Sequence, residues 1–196
     1  MNSPERQTLL RVAREAVLEG VRRGVPWLPD PQEYPATLRA PGASFVTLHV
    51  DGELHGCVGS LEPARPLVVD VAHNAFAAAF HDPRFPRLEK AELDALDVHI
   101  SLLGPLEALD VASEAELVTR LRPGIDGLLL EEGRYRGTFL PAVWQNLSNP
   151  AEFVRALKRK AGLAPDHWSD AVRVWRYEAE SIPPVTDRAG SGDSRR

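Results

Sequence analysis

The chain has 196 residues, 43% of them hydrophobic and 26% charged, with a formal net charge of −5 and a single cysteine. That length and balance exclude a disordered or fibrous chain and leave room for a sizeable core. The acidic balance argues against wholesale binding to nucleic-acid phosphate, the lone Cys57 excludes an intramolecular disulfide, and no run approaches the roughly 18 apolar residues of a membrane span.

No leader-like segment follows Met1, so a cytoplasmic chain is expected. Ser3-Pro4-Glu5 reads as a helix start, with a capping hydroxyl, a proline at the first position and an acid favoured by the helix dipole. Leu9, Leu10, Ala13, Ala16, Val17 and Val21 recur at helical spacing, and Gly24 is expected to stop the helix. Between Pro26 and Pro41 five prolines predict an ordered but irregular connection, pinned by Trp27 and Tyr34.

Residues 45–50 read as a strand, Asp51-Gly52 as a two-residue turn and residues 53–58 as the returning antiparallel strand. Paired without irregularity, Val50 faces Glu53, Leu48 faces His55 and Val46 faces Cys57. A helix follows Pro66, with Leu67, Val68, Val71, Ala72, Ala75, Phe76, Ala79 and Phe80 as its buried stripe. Asp70, His73, Asn74, Ala77 and His81 fall on its other face, and Pro83 and Pro86 end it.

Leu96, Val98, Ile100 and Leu102 alternate with Asp97, His99 and Ser101, the period of a strand with one buried face. Residues 113–121 predict a short helix, residues 128–130 and 135–140 a hairpin, and Asn149-Pro150 with Glu152 a capped helix that Gly162 ends. A last strand is expected at 172–179. Residues 183–196, whose only hydrophobic side chains are one valine and one alanine, are expected to be a disordered tail. Hairpins mixed with helices, without strict strand–helix alternation, predict an α+β fold with a mixed, mainly antiparallel sheet.

The stretch Leu54-His55-Gly56-Cys57-Val58-Gly59-Ser60 holds the candidate chemistry, because two glycines flank the only thiol and let another backbone or a small ligand approach. In the regular register the sulfur lies opposite Val46 and beside Leu48, as a small inert core residue would. A nucleophilic Cys57 needs a nearby cation, and His55, two positions away on the same strand face, is the nearest candidate. Both readings remain open on the sequence.

Asp82-Pro83-Arg84-Phe85 offers a carboxylate and a guanidinium to an anionic substrate; equally, Asp82 caps a turn and pairs with Arg84. The six histidines lack ligand spacing, so no metal is expected, and no cofactor is identified. Gly124-Ile125-Asp126-Gly127 lacks the spacing of a phosphate loop. Arg155, Lys158, Arg159 and Lys160 form a basic cluster near a helix C-terminus, where the dipole favours cations whatever the function.

Taken in order, Leu54 to Ser60, Leu61-Glu62-Pro63, Asp82-Pro83-Arg84-Phe85, Gly124-Ile125-Asp126-Gly127-Leu128, Thr138-Phe139-Leu140-Pro141, Trp144 and Leu157-Lys158-Arg159-Lys160-Ala161-Gly162-Leu163 resemble the AMMECR domain family, also called AmmeMemoRadiSam system protein A. One departure matters: the arginine of the family's signature is His55 here, which makes any anion-binding or thiolate-stabilising role of that position pH-dependent or removes it. The resemblance implies one domain over residues 1–182, with a large and a smaller lobe and a cleft lined by the signature. Cys57 and His55 are its candidate catalytic pair, with Gly56, Gly59, Ser60, Glu62, Asp82, Arg84 and Asp126 as candidate cleft residues.

The resemblance further implies association, physical or metabolic, with a Memo-like protein and a radical S-adenosylmethionine protein, but supplies no reaction. The leading expectation is an enzyme, or an accessory subunit of one, acting on a small molecule around Cys57. The alternative is a non-catalytic module that binds a protein through Lys158 and Arg159. Nucleic acid ranks below a protein partner because of the acidic net charge.

Overall fold

The computed structural model describes residues 1–184; residues 185–196, which include most of the expected tail, lie outside the described residues. Helix α1 (Ser3–Arg23) is capped one residue before the expected position. Asn2 accepts the Glu5 amide at 2.9 Å while the Glu5 carboxylate accepts the Asn2 amide at 3.1 Å. This reciprocal pair satisfies two otherwise orphaned donors, which a cap at Ser3 alone would not. Gly24 ends the helix at φ 71°, as expected. The proline-rich connection also contains a short helix, α2 (Ala36–Arg39), and Trp27 and Tyr34 pack on the core.

The remaining elements are β1 (Pro41–Val50), β2 (Glu53–Gly59), β3 (Arg65–Pro66), α3 (Leu67–Phe80), β4 (Leu96–Leu103), β5 (Glu107–Leu109), α4 (Glu114–Arg120), β6 (Gly127–Glu132), β7 (Tyr135–Phe139), α5 (Pro150–Ala161), β8 (Arg173–Tyr177) and β9 (Ala179–Ile182). Helices combine with mainly antiparallel sheet, so the fold is α+β as the sequence predicts. The described residues divide into two compact units, Met1–Leu102 with residues 181–184, and Leu103–Glu180.

In the first unit the strand order is β2-β1-β4-β9, with β3 also pairing β1. Leu9, Val12 and Val17 of α1, Val46 and Leu48 of β1, Val71 and Ala75 of α3, and Ile100 of β4 are buried together with Ile182 of β9. Helix α3 departs from the expected two-faced pattern. Its stripe is buried, but so are Asp70, Asn74 and Ala77, leaving His73 and His81 exposed. Two polar side chains are tolerated inside because each is fully engaged in hydrogen bonds, as described below.

In the second unit the order is β5-β8-β6-β7, covered by α4 and α5. Leu117, Leu128, Leu130, Phe153, Leu157 and Val174 form its core, and Trp144 stacks on Phe153 with ring centroids 3.9 Å apart. The single strand expected at 172–179 is two strands. The chain breaks at Glu178, whose carbonyl accepts the Gly104 amide at 2.8 Å, so that β8 belongs to the second sheet and β9 to the first. Asn149 caps α5 through the amides of Ala151 and Glu152, and Gly162 ends it at φ 91°.

Candidate functional site

The turn between β1 and β2 sets the site. Asp51 and Gly52 take φ 51° and 85°, the left-handed geometry of a tight hairpin, and Val50 pairs with Glu53 as expected. His49 then pairs with Leu54, but Leu48 pairs with Gly56, so His55 is the extra residue of a bulge. Beyond it the expected register is off by one. Thr47, not Val46, faces Cys57, and Val46 faces Val58.

A one-residue slip exchanges the two faces of a strand. Cys57 therefore leaves the face that carries Val46 and Leu48 and joins the one that carries Phe45, Thr47 and His49. The thiol is half-buried, and the Thr47 hydroxyl donates to its sulfur at 3.2 Å. His49 of the same β1 face meets His99 of β4 edge-on, with centroids 5.1 Å apart, and burial followed by the neighbouring His49 holds His99 below the ordinary imidazole range.

Gly56 takes the core-facing place, and a Cβ there would lie 2.1 Å from the Ala78 carbonyl of α3. The close approach that glycine permits is thus made by the protein's own helix. At Gly59 a Cβ would lie 2.2 Å from the Phe45 ring, so that glycine also accommodates a side chain of the fold.

β2 is an edge strand, and an edge leaves main-chain groups unpaired. The segment after α3 closes that edge at Cys57. Asp82 accepts the Cys57 amide at 2.9 Å, and Arg84 Nη2 donates to the Cys57 carbonyl at 3.3 Å. Asp82 also accepts the Arg84 amide at 3.1 Å and its side chain through Nε at 2.9 Å and Nη2 at 2.6 Å. These side-chain bonds hold the buried Asp82 carboxyl well below the usual carboxylate range against the opposing effect of burial, with the Cys57 amide contributing. The hydrogen bonds to Asp82 raise the Arg84 pKa in turn, against the opposing effect of burial.

The bidentate grip expected for a substrate is therefore occupied by Asp82. Arg84 remains half exposed above the Phe85 ring, 5.2 Å from its centroid, and its Nη1 makes no hydrogen bond among the described residues. His55 meets this segment through Phe85. Its ring stacks on Phe85 at 6.4 Å, Nδ1 is 3.9 Å from Glu92 Oε1, and Nε2 is buried without a partner among the described residues. His55 thus meets Phe85 and Glu92, while the Cys57 sulfur meets Thr47 and the Cys57 main chain meets Asp82 and Arg84.

Ser60 joins a buried network that the sequence reading missed. Asp70 accepts the Ser44 amide at 2.9 Å, the Ser44 hydroxyl at 2.7 Å, Ser60 at 2.8 Å and Asn74 at 2.9 Å. Asn74 also donates to the Ser44 carbonyl at 3.0 Å, and Arg65 Nε is 3.6 Å from Asp70. The signal was the i, i+4 spacing of Asp70 and Asn74 inside an otherwise apolar helix. Glu62 sits on the exposed turn after β2, where its carbonyl accepts the Ala64 amide.

Asp126 belongs to the second unit and is fully buried. Its carboxylate accepts Arg122 through the amide at 2.8 Å, Nε at 2.9 Å and Nη2 at 2.6 Å, which makes it the clasp of its own turn. Lys158 is a correction: its side chain is fully buried, with Nζ 2.6 Å from Glu114 and 3.0 Å from the His167 carbonyl. It offers no surface to a partner, whereas Arg159 is exposed. Among the described residues no group of three or more His, Cys, Asp or Glu side chains is placed to hold a metal ion, and no helix is long and apolar enough to cross a membrane.

Comparison with known proteins adds the lineage. The AMMECR1 family model matches residues 10–182. A protein of Methanothermobacter thermautotrophicus is 40% identical over 182 residues, 92% of this chain and 94% of its own length. Another from Methanocaldococcus jannaschii is 37% identical over 80% of both chains. The crystal structure of an uncharacterised protein from Pyrococcus horikoshii superposes with a TM-score of 0.82 at 34% identity, over 88% of each chain.

Proposed function

The chain belongs to the AMMECR1 family, and from that premise we propose that it is an enzyme, or the accessory subunit of one, that acts on an anionic small molecule at Cys57. The observation that carries this reading is the clamp on the Cys57 main chain by Asp82 and Arg84, together with the half-buried sulfur on the face away from the core. A thiol nucleophile works as its thiolate, which a neighbouring cation favours. Arg84 supplies that cation and keeps Nη1 for an anionic group of the substrate. Asp82 is the positioning residue that orients the guanidinium, and Thr47 donates to the sulfur.

His55 takes a supporting part in this scheme: it backs Phe85, on which Arg84 lies. The resemblance to AmmeMemoRadiSam system protein A motivates the wider setting we propose, in which the small molecule is made or used together with a Memo-like protein and a radical S-adenosylmethionine protein.

Alkylation of the native protein with iodoacetamide tests the site. Cys57 is expected to be labelled without denaturant, and Arg84→Gln to slow labelling at constant pH through loss of the cation held on the Cys57 main chain. A thiol that stays unmodified until denaturant is added would end the nucleophile reading.

A further inference from the structure

Helices α4 and α5 of the second unit flank a groove of about 870 Å³ whose lining includes Glu114, Ala115, Val118, Arg155, Arg159 and Asp166. Its charges are unequally committed. Glu114 is bound to the buried ammonium of Lys158 at 2.6 Å. Arg155 and Arg159 are exposed, and neither guanidinium has a hydrogen-bond or ion-pair partner among the described residues. Elsewhere in this unit Arg120, Arg122, Arg136 and Arg176 each meet an acid, namely Glu116, Asp126, Glu131 and Glu107, whereas Arg134 lies on Tyr135 and Arg173 meets no acid among the described residues. What sets Arg155 and Arg159 apart in a chain of net charge −5 is that two guanidiniums without an acid stand side by side on one wall of a groove.

Their spacing is that of one helical turn, about 6 Å along the axis. Between them and α4 the floor is apolar, with the exposed Ala115 beside Val118. Two carboxylates four residues apart on an opposing helix would meet the two guanidinium forks, and an apolar side chain on the same face would rest on that floor. We propose that this groove is the docking surface for an acidic helical segment of a partner protein. It is independent of the chemistry at Cys57. A nucleic-acid backbone fits less well, because its closely spaced phosphates would meet two arginines beside Asp166, which has no ion-pair partner among the described residues, and an acidic net charge.

The test uses the full chain and a fluorescein-labelled helical peptide with two glutamates four residues apart flanking a leucine, followed by fluorescence anisotropy. The expected result is saturable binding that weakens by about tenfold or more when both glutamates become glutamine, a loss of at least about 1.4 kcal/mol. The double variant R155E/R159E is expected to lose the peptide, Ala115→Trp to weaken it by filling the floor, and Cys57→Ser to leave it unchanged. Raising salt from about 0.05 to about 0.5 M should also weaken binding.

Unchanged binding by R155E/R159E would overturn the proposal, as would a loss that follows Cys57→Ser instead. Displacement of the peptide by a single-stranded oligonucleotide at equal charge concentration would assign the groove to polyanions in general. An arginine-dependent dimer in sedimentation would assign it to a second copy of the chain. Either result would overturn the acidic-helix reading. Both arginines are exposed, so the variant is expected to fold; should its thermal transition drop, R155Q/R159Q gives the same readout without charge reversal.

Discussion

Protonating Asp82 removes the acceptor that Arg84 and the Cys57 amide share. Because the folded-state pKa lies below the unfolded value of about 3.9, the stabilisation is complete above that value and is lost as pH falls through the lower, folded one. Asp82→Asn is therefore expected to cost about 1.5–3 kcal/mol at neutral pH, read by denaturant unfolding, and to flatten the decline in stability below about pH 4. A variant with the wild-type acid limb would show that the clamp does not depend on the charge. Lys158 gives a second contrast at this scale. Lys158→Glu sets a second carboxylate beside Glu114 in a buried site and should abolish folding of the second unit, whereas Lys158→Met should cost far less, as judged by circular dichroism and thermal melting. Lys158 sits in a run of cations that reads as a solvated surface, yet it continues the stripe of Val154 and Ala161 at helical spacing, and that periodicity is the signal of its burial. Asp70 and Asn74 were misread for the converse reason, since polarity alone made them look solvated and only the partners on β1 and after β2 reveal them as interior.

Caps and turns were legible because their physics is local. Gly24, the Asp51-Gly52 turn, Asn149 and Gly162 needed no knowledge of distant residues. The bulge at His55 was not legible, because it answers a distant demand: only a glycine can stand where the Ala78 carbonyl of α3 presses on β2. That account predicts that Gly56→Ala costs about 3 kcal/mol or more through overpacking. Gly52→Ala, at φ 85° with nothing within 4 Å of its Cβ, should cost only about 1 kcal/mol of backbone strain. Equal thermal shifts for the two would contradict it. Since the register decides which face Cys57 occupies, the candidate site was half readable: the residues stood out in the sequence, but their grouping into Cys57–Thr47–Arg84 and His55–Phe85–Glu92 required the fold.

At the scale of the whole chain the fold class followed from element order, while the crossing of β8 and β9 into different sheets did not, because nothing between Arg173 and Ile182 marks the break more strongly than Glu178 itself. The first unit is closed by a strand from the far end of the chain, with Ile182 only 2% exposed. Truncation after Glu178 should therefore destabilise residues 1–102 although none of them is removed, with loss of soluble yield and of the cooperative thermal transition. A truncated chain that melts like the intact one would contradict this. The same interleaving fixes an order of events on the ribosome. Synthesis delivers the inserted unit up to Glu178, β8 included, before β9 emerges, so that unit can mature while the flank of β4 that awaits β9 stays open for seconds at roughly 5–20 residues per second. During that interval the nascent chain presents an unpaired strand, which makes chaperone contact most valuable late in translation.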